Sequence, residues 1–450
     1  MLPLMQIIHL YHVMSNIKVI VSEFGPVKDA EITFAPMLLF TGNSNMGKSY
    51  INYLFFFLMR SITWDMFQEL VTAKFDKMKD GDSELSFKFS ENDLRKWLTD
   101  KVRPFMANFL GNEELKCDVS FVLGMDKVFA DGLLKVNYNR QKVDKSNEQL
   151  FETYTCAVNI NDETTTFVAF ANDKRTECNQ LWFAVSRYFQ QHVLGNYLGK
   201  SVILPPARGS YVGESYSAKD MIAAQAGMYK MFLNDYDFAL HKGTSNVADN
   251  DEQFFLARMK ALVNGELKTQ DNKQYLLMNN GTMIPLTSAA SSIKELSPFL
   301  FYLKNWSHFN FSFCIEEPEA HLHPSMQKDI ADLLAACVNK GMFFQMTTHS
   351  DYFLQRINQL ILLGTLRKQD EGAFEKLRMK YSMNKRFYLN KEDVACYYFH
   401  EDGDNNVKIE KLEINEKGLP LTTFFTVVRD MTNFDDELAI ILNADEYRHD

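Results

Sequence analysis

The residues best suited to chemistry lie early in the chain. Gly42-Asn43-Ser44-Asn45-Met46-Gly47-Lys48-Ser49 matches the pattern GxxxxGK[ST], with an apolar run before it and a helical pattern after it, the context this motif requires. Glycines let backbone N–H groups turn inward as an anion nest at a helix N-terminus. Lys48 supplies a point charge for β- and γ-phosphates, and Ser49 offers a hydroxyl to Mg²⁺. Asn43, Asn45, Gly47 and Tyr50 complete the candidate nucleotide contacts. The competing interpretation is a chance glycine-rich turn, and the flanking strand and helix patterns weigh against it.

A second group follows in Phe313-Cys314-Ile315-Glu316-Glu317-Pro318-Glu319. An apolar strand ending in adjacent carboxylates can hold Mg²⁺ with one and polarise water with the next. Glu316 is assigned to the metal and Glu317 to the general base; alone, the run reads equally well as a solvated acidic turn. His349, in Met346-Thr347-Thr348-His349-Ser350, lies at the end of the next buried run and can hydrogen-bond a γ-phosphate. Ser291 and Ser292 open a helix whose N–H groups and hydroxyls suit a phosphate on another subunit. That stretch by itself is an ordinary serine-rich cap.

The elements that must position these groups are visible in the patterning. Met37 to Phe40 is a continuous apolar run, as expected of a strand buried on both faces. Ile17 to Val21 and Ala30 to Phe34 read as strands around a Phe24-Gly25-Pro26 turn, and Tyr50 to Met59 as a buried helix too short to span a bilayer. Residues 63–200 change character. Short alternating segments (Leu85 to Phe89, Val119 to Leu123, Tyr154 to Ile160, Thr164 to Phe170) mix with helices, one opened by Ser90-Glu91-Asn92-Asp93. Buried strands return at Phe309 to Ile315 and Met342 to Thr347. A hairpin around Glu401-Asp402-Gly403-Asp404 and a last helix follow. There is no long heptad run and no internal repeat.

Bulk properties narrow the class further. A chain of 450 residues, 46% hydrophobic and 24% charged, is ordinary globular material with room for two or three domains' worth of core. The net charge of −10 argues against a nucleic-acid coat and leans towards protein partners. Six cysteines without zinc-type spacing read as buried hydrophobes in a reducing compartment. The first residues lack a signal-peptide pattern, and Met14 looks like a natural start. The expected location is the cytoplasm, with no membrane contact.

Taken together, these motifs resemble the ABC-class ATPases of the RecF/OLD-like group. Lys18 to Ser49 is similar to that family's opening strands and Walker A, Ile315 to Pro324 to its Walker B and D-loop, and His349 to its switch histidine. Leu204-Pro205-Pro206-Ala207-Arg208 resembles an element found near the nucleotide, which implies a nucleotide contact for Arg208. The signature helix departs from the family, because Ser291-Ser292-Ile293 carries no glycine. The resemblance implies an α/β fold: an ABC-ATPase P-loop core with an antiparallel β lobe and a mixed helical and β insertion. Residues 1–60 and 201–450 are then the two parts of the core, and 61–200 the insertion. It also implies ATP and Mg²⁺ as cofactors and a homodimer or higher oligomer closed around ATP, while the missing signature glycine points to slow hydrolysis.

The likeness extends to stand-alone ATPase subunits of bacterial anti-phage systems of the PARIS and Septu types, which pair with a separately encoded effector, often a nuclease. Residues 350–450 are too few for the nuclease domain of OLD proteins, and Asp402-Gly403-Asp404 reads as a hairpin loop rather than a metal site. His321 and His323 likewise read as a divergent pair rather than ligands. The alternative is a RecF-like ATPase that repairs or clamps DNA. It would need a basic patch, for which Arg95-Lys96, Lys101 to Arg103 and Arg367-Lys368 are the candidates. A transporter subunit fits the large insertion poorly.

Overall fold

Three strands whose side chains are almost wholly buried organise the molecule, and each is too apolar to sit anywhere but the middle of a covered sheet. The computed structural model describes residues 16–79, 81–143, 153–170, 173–212, 227–241, 250–271, 273–305, 310–402, 407–420 and 425–446. The start region before Met14 and the tip of the C-terminal hairpin lie outside the described residues. The strands are β1 (Lys18–Phe24), β2 (Val27–Thr33), β3 (Met37–Gly42), β4 (Glu84–Ser90), β5 (Cys117–Val122), β6 (Leu133–Lys142), β7 (Thr153–Ile160), β8 (Glu163–Phe170), β9 (Lys200–Leu204), β10 (Gly265–Gln270), β11 (Lys273–Met278), β12 (Met283–Pro285), β13 (Phe311–Glu316), β14 (Phe343–Thr347), β15 (Val394–Glu401) and β16 (Val407–Leu412). The helices are α1 (Lys48–Arg60), α2 (Met66–Phe75), α3 (Glu91–Leu110), α4 (Lys174–Val193), α5 (Gly227–His241), α6 (Asn250–Val263), α7 (Ser291–Asn305), α8 (Pro324–Val338), α9 (Asp351–Gln369), α10 (Glu371–Lys380) and α11 (Phe425–Glu446).

A nine-stranded sheet in the order β5-β1-β2-β16-β15-β3-β14-β13-β9 forms the core. Its centre is parallel: β3 pairs with β15 on one side and β14 on the other, β14 with β13, and β13 with β9. One edge, β5-β1-β2, is antiparallel. The fold is therefore α/β, a P-loop core with an antiparallel lobe. Parallel pairing puts the C-terminal ends of β3, β14, β13 and β9 along one edge, where open α/β sheets bind ligands.

The middle of the chain does not form a single unit by pairing. β4-β6-β7-β8 make a separate antiparallel sheet, whereas β5, from the same stretch, adds to β1. Its alternation reads like that of its neighbours, because a half-buried strand has period two whatever it pairs with. Ser90 caps α3 as the sequence suggests, with its side chain accepting from Asp93 N–H and the Asp93 carboxylate accepting from Ser90 N–H in return.

Helix α1 is buried on nearly every face from Ile51 to Met59, as expected of an all-round apolar helix inside a core. Each large side chain there contributes roughly 1.5–3 kcal/mol of burial. A π-helical turn over Ser61–Asp65 joins α1 to α2 without leaving helical backbone. Such a turn loosens the carbonyls it bulges out. Here Ser186 Oγ of α4 donates to the Ile62 and Thr63 carbonyls at 3.2 and 3.1 Å, and Gln190 Nε2 reaches both at 3.4 Å.

All six cysteines are free thiols, five of them buried. No helix among the described residues is long and apolar enough to cross a membrane.

Candidate functional site

The loop after β3 is shaped by backbone conformation. Gly42 has φ +115°, and a Cβ there would lie 2.1 Å from the Phe399 carbonyl oxygen; Gly47 has φ +82°, and its Cβ would meet Pro26 and Val27 at 2.8 Å. Only glycine fits either place. Asn45 also takes positive φ (62°), which asparagine tolerates. No side chain caps the N-terminus of α1, so the N–H groups of its first turn remain at the mouth of the loop. Lys48 is 5% exposed and donates to the Gly42 and Asn43 carbonyls at 3.1 and 2.5 Å. Burial lowers its pKa, and the charges of Glu316 and Glu317 partly restore it. Tyr50 packs edge-on against Phe24, 5.4 Å between centroids, and walls the loop beside Gly25.

The buried carboxylate of Glu316 joins this loop to the end of β13. Ser49 Oγ donates to its Oε2 at 2.6 Å, Thr347 Oγ1 to the same oxygen at 2.9 Å, and Asn52 Nδ2 to Oε1 at 2.8 Å. Burial pushes the carboxyl above its ordinary range, opposed by those three hydrogen bonds and reinforced by Glu317. A hydroxyl and a carboxylate held in contact beside a lysine form a hard oxygen donor set suited to Mg²⁺ at a phosphate. Asn52 and Thr347 escape a motif search. Their one signal is polarity at places where the runs Tyr50 to Met59 and Phe343 to Met346 are otherwise mostly apolar.

Glu317 is exposed and has a φ of 47°, an uncommon conformation for a residue with a side chain. Its N–H is tied to the Thr347 carbonyl at 3.2 Å. Glu319, 7% exposed, holds the neighbouring strand end: its Oε1 accepts from Thr348 Oγ1 at 2.7 Å and from His349 N–H at 2.9 Å. His349 is exposed at that end. What burial it has, followed by the Lys48 charge, holds its imidazole below the ordinary range against the pull of Glu317. The ring is thus neutral at pH 7, with one N–H to donate. The helix that follows is capped by Ser350, not by His349.

Arg208 sits differently from the nucleotide contact that the sequence resemblance implies. It is 2% exposed, and its guanidinium donates to the carbonyls of Glu295 (2.9 Å), Glu316 (2.7 Å) and Pro205 (3.3 Å), reaching Glu317 O at 3.5 Å. Its Nε lies 3.5 Å from the Glu295 carboxylate, which also accepts from Gly209 N–H at 3.1 Å. Arg208 therefore clasps the backbone of the acidic strand end to the first turns of α7. Ser291, exposed, and Ser292, half-buried, stand at the start of that helix. Replacing Arg208 by alanine strands the Glu295 charge and orphans several carbonyls, so a loss of about 3–5 kcal/mol is expected. Urea unfolding of Arg208→Ala beside the parent measures it.

The remaining candidates lie elsewhere. His323 Nδ1 accepts from Ser325 N–H as the cap of α8, while His321 sits at φ 61° in the preceding turn. Among the described residues no His/Cys/Asp/Glu group could by itself hold a metal ion. Of the basic candidates, Lys101 is paired with Glu69 at 2.7 Å and Lys368 with Glu392 at 2.9 Å, and Arg367 stacks 4.3 Å from the Tyr388 ring centre.

Residues 207–354, which carry Arg208, the serines of α7, the paired glutamates and His349, match the AAA ATPase domain family model. With the joined loop and strand end, this supports an ABC-like P-loop ATPase. Solved structures similar to the chain include SMC heads. One, bound to the C-winged helix domain of ScpA, has 11% identity and a TM-score of 0.37, covering 89% of this chain and 98% of that one. The SMC head domain from Thermotoga maritima has 11% identity and a TM-score of 0.31, covering 88% and 98%. A head from Pyrococcus furiosus with an extended coiled coil, bound to the C-terminal domain of ScpA, has 9% identity and a TM-score of 0.33, covering 93% and 99%. No curated protein matches.

Proposed function

We propose that the chain binds ATP with Mg²⁺ at the phosphate loop, hydrolyses it, and uses the closing of two copies around ATP to hold or release a separately encoded protein effector, often a nuclease, in anti-phage defence. The 2.6 Å hydrogen bond between Ser49 and Glu316 carries the catalytic part, because it joins the phosphate loop to the acidic strand end in one site. Ser49 and Glu316 would hold Mg²⁺, which supplies Lewis-acid neutralisation of phosphate charge. Lys48 and the N–H groups at the start of α1 orient the phosphates. Glu317, solvent-facing at the strand end, takes the proton of the attacking water. Neutral His349 donates to the γ-phosphate, and Glu319 fixes the backbone that carries it.

The exposed start of α7 supports head-to-tail closure, since Ser291 is free to approach the phosphates of another copy. ATP then favours the closed dimer, because only there do its phosphates touch both subunits.

Helix α11 supports a protein partner. Met431, Phe434, Leu438 and Ile441 form a stripe, each 43–64% exposed. Asp430, Asp435, Asp436 and Glu437 lie alongside. The acidic flank would repel a second α11, so the occupant is a partner with an apolar groove rimmed by lysine or arginine.

The test is a pull-down of tagged Glu317→Gln with ATP and Mg²⁺, co-expressed with its gene neighbours. A stoichiometric partner is expected, absent with Lys48→Ala and lost with Phe434→Asp/Leu438→Asp at unchanged ATP turnover. Sedimentation of Glu317→Gln should give a dimer with ATP and a monomer without it. Recovery of DNA and no protein would replace the effector reading with a DNA clamp.

A further inference from the structure

Helix α1 carries one amide, Asn52, fully buried one turn beyond Ser49 and followed by the apolar stretch from Leu54 to Met59. Its backbone is tied to the acidic strand, because Cys314 Sγ donates to the Asn52 carbonyl at 3.7 Å. Its side chain meets the same strand twice. Nδ2 donates to Glu316 Oε1 at 2.8 Å and reaches the Ile315 carbonyl at 3.4 Å. These two acceptors fix which end of the amide faces β13, since its carbonyl end would meet a carboxylate oxygen. Among the described residues Asn52 Oδ1 has no hydrogen-bond partner. A buried amide of this kind costs the fold stability that a hydrocarbon would not. What it supplies is a grip on one carboxylate oxygen.

The two oxygens of Glu316 are thereby distinguished. Oε2 accepts from Ser49 and Thr347 at 2.6 and 2.9 Å, and Oε1 accepts from Asn52. Donors on both oxygens restrain the carboxylate from turning about its last bond. Mg²⁺ demands near-ideal octahedral geometry at short distances, whereas Ca²⁺ accepts longer and less regular sets. A carboxylate that cannot turn therefore favours the smaller ion. Groups that orient a metal's ligands govern its affinity although they never touch it.

We infer that, given the proposed binding of ATP with Mg²⁺ at Ser49 and Glu316, Asn52 determines ion specificity: by fixing the Glu316 carboxylate it makes the site select Mg²⁺ over Ca²⁺. Asn52 acts through Glu316 and is a positioning residue.

The test is calorimetric titration of the full chain with AMP-PNP, a non-hydrolysable ATP analogue, in Mg²⁺ and separately in Ca²⁺. The parent is compared with Asn52→Leu, which keeps the branching of the side chain and removes the donor. The parent is expected to bind more tightly with Mg²⁺ than with Ca²⁺. In the variant, affinity with Mg²⁺ should fall by about tenfold or more, the usual effect of losing a group that orients a ligand. With Ca²⁺, which tolerates a looser carboxylate, it should fall by no more than about twofold. If Asn52→Leu melts early, Asn52→Ser is read in its place; its hydroxyl is too short to reach Oε1, and the same pattern is expected. A loss of equal size with both ions would reduce Asn52 to a packing residue and overturn the inference. Parental affinity with Mg²⁺ in both variants, or a parent without preference for Mg²⁺, overturns it as well. A parent that binds the analogue with neither ion overturns the proposed ATP binding itself, and this inference with it.

Discussion

Glu317→Gln is expected to lower ATP turnover by about 10²- to 10⁴-fold, the range of general-base contributions, while leaving ATP binding within about twofold. The geometry separates the two effects. Lys48 donates to the Gly42 and Asn43 carbonyls and Ser49 donates to Glu316, and none of these bonds uses the Glu317 side chain. That side chain faces solvent from a backbone fixed by Thr347 and Arg208, so the amide leaves the fold as it was. Single-turnover hydrolysis and equilibrium ATP binding on the same preparation measure the pair. A variant that keeps parental turnover would remove Glu317 from the chemistry and shift attention to His349. One that loses binding as well would place it among the nucleotide contacts.

Glu316→Gln should give the opposite combination of gain and loss. Its carboxyl is buried and its pKa raised, so the folded state takes up the proton more readily than the unfolded chain. Stability is therefore lost as pH rises through the window from the ordinary carboxyl pKa to the raised folded one. Glutamine mimics the protonated form, and the hydroxyls of Ser49 and Thr347 can turn to accept from its amide. The nucleotide-free variant should be more stable than the parent by about 1 kcal/mol at neutral pH, raising the melting temperature by about 1 °C. Turnover with Mg²⁺ should fall by about 10²-fold or more, since the ion's several kcal/mol would be poorly held. Calorimetric melting at pH 5 and pH 8 checks the sign, with the difference between variant and parent larger at pH 8. A variant that melts well below the parent would mean that the three donors favour the charge more than burial opposes it.

Much of the core is legible in the chain because its signals are local. A continuous apolar run, a glycine loop and an apolar helix leave few choices for β3 and α1, and the runs before Glu316 and His349 behave in the same way. What stays hidden depends on partners distant in sequence. Nothing in Val119 to Leu123 says that it pairs with β1 rather than with β6. The resemblance implies a place near the nucleotide for Arg208 but not its orientation: the side chain is buried and turned towards carbonyls of Pro205, Glu295 and Glu316. Asn52 is readable in hindsight as the lone amide in an apolar helix, one turn beyond Ser49. Glu319 could have been taken for a third acid of a solvated turn, because its two donors come from the next strand end.

The π-helical turn between α1 and α2 amounts to one residue threaded into an otherwise continuous rod. Reverting it to α-geometry would swing everything beyond it by about 100° and slide it by about 1.5 Å. Lys48 stands at one end of that rod and Thr72 and Phe75 at the other, so a change of phase at the middle would reach the far end undiminished. Ser186 and Gln190 act as a detent, because they grip the carbonyls that the bulge pushes outward. They belong to the same helix that carries Lys174 and Arg175. Moving that helix would therefore pull on the tail of the phosphate-loop helix through those two side chains.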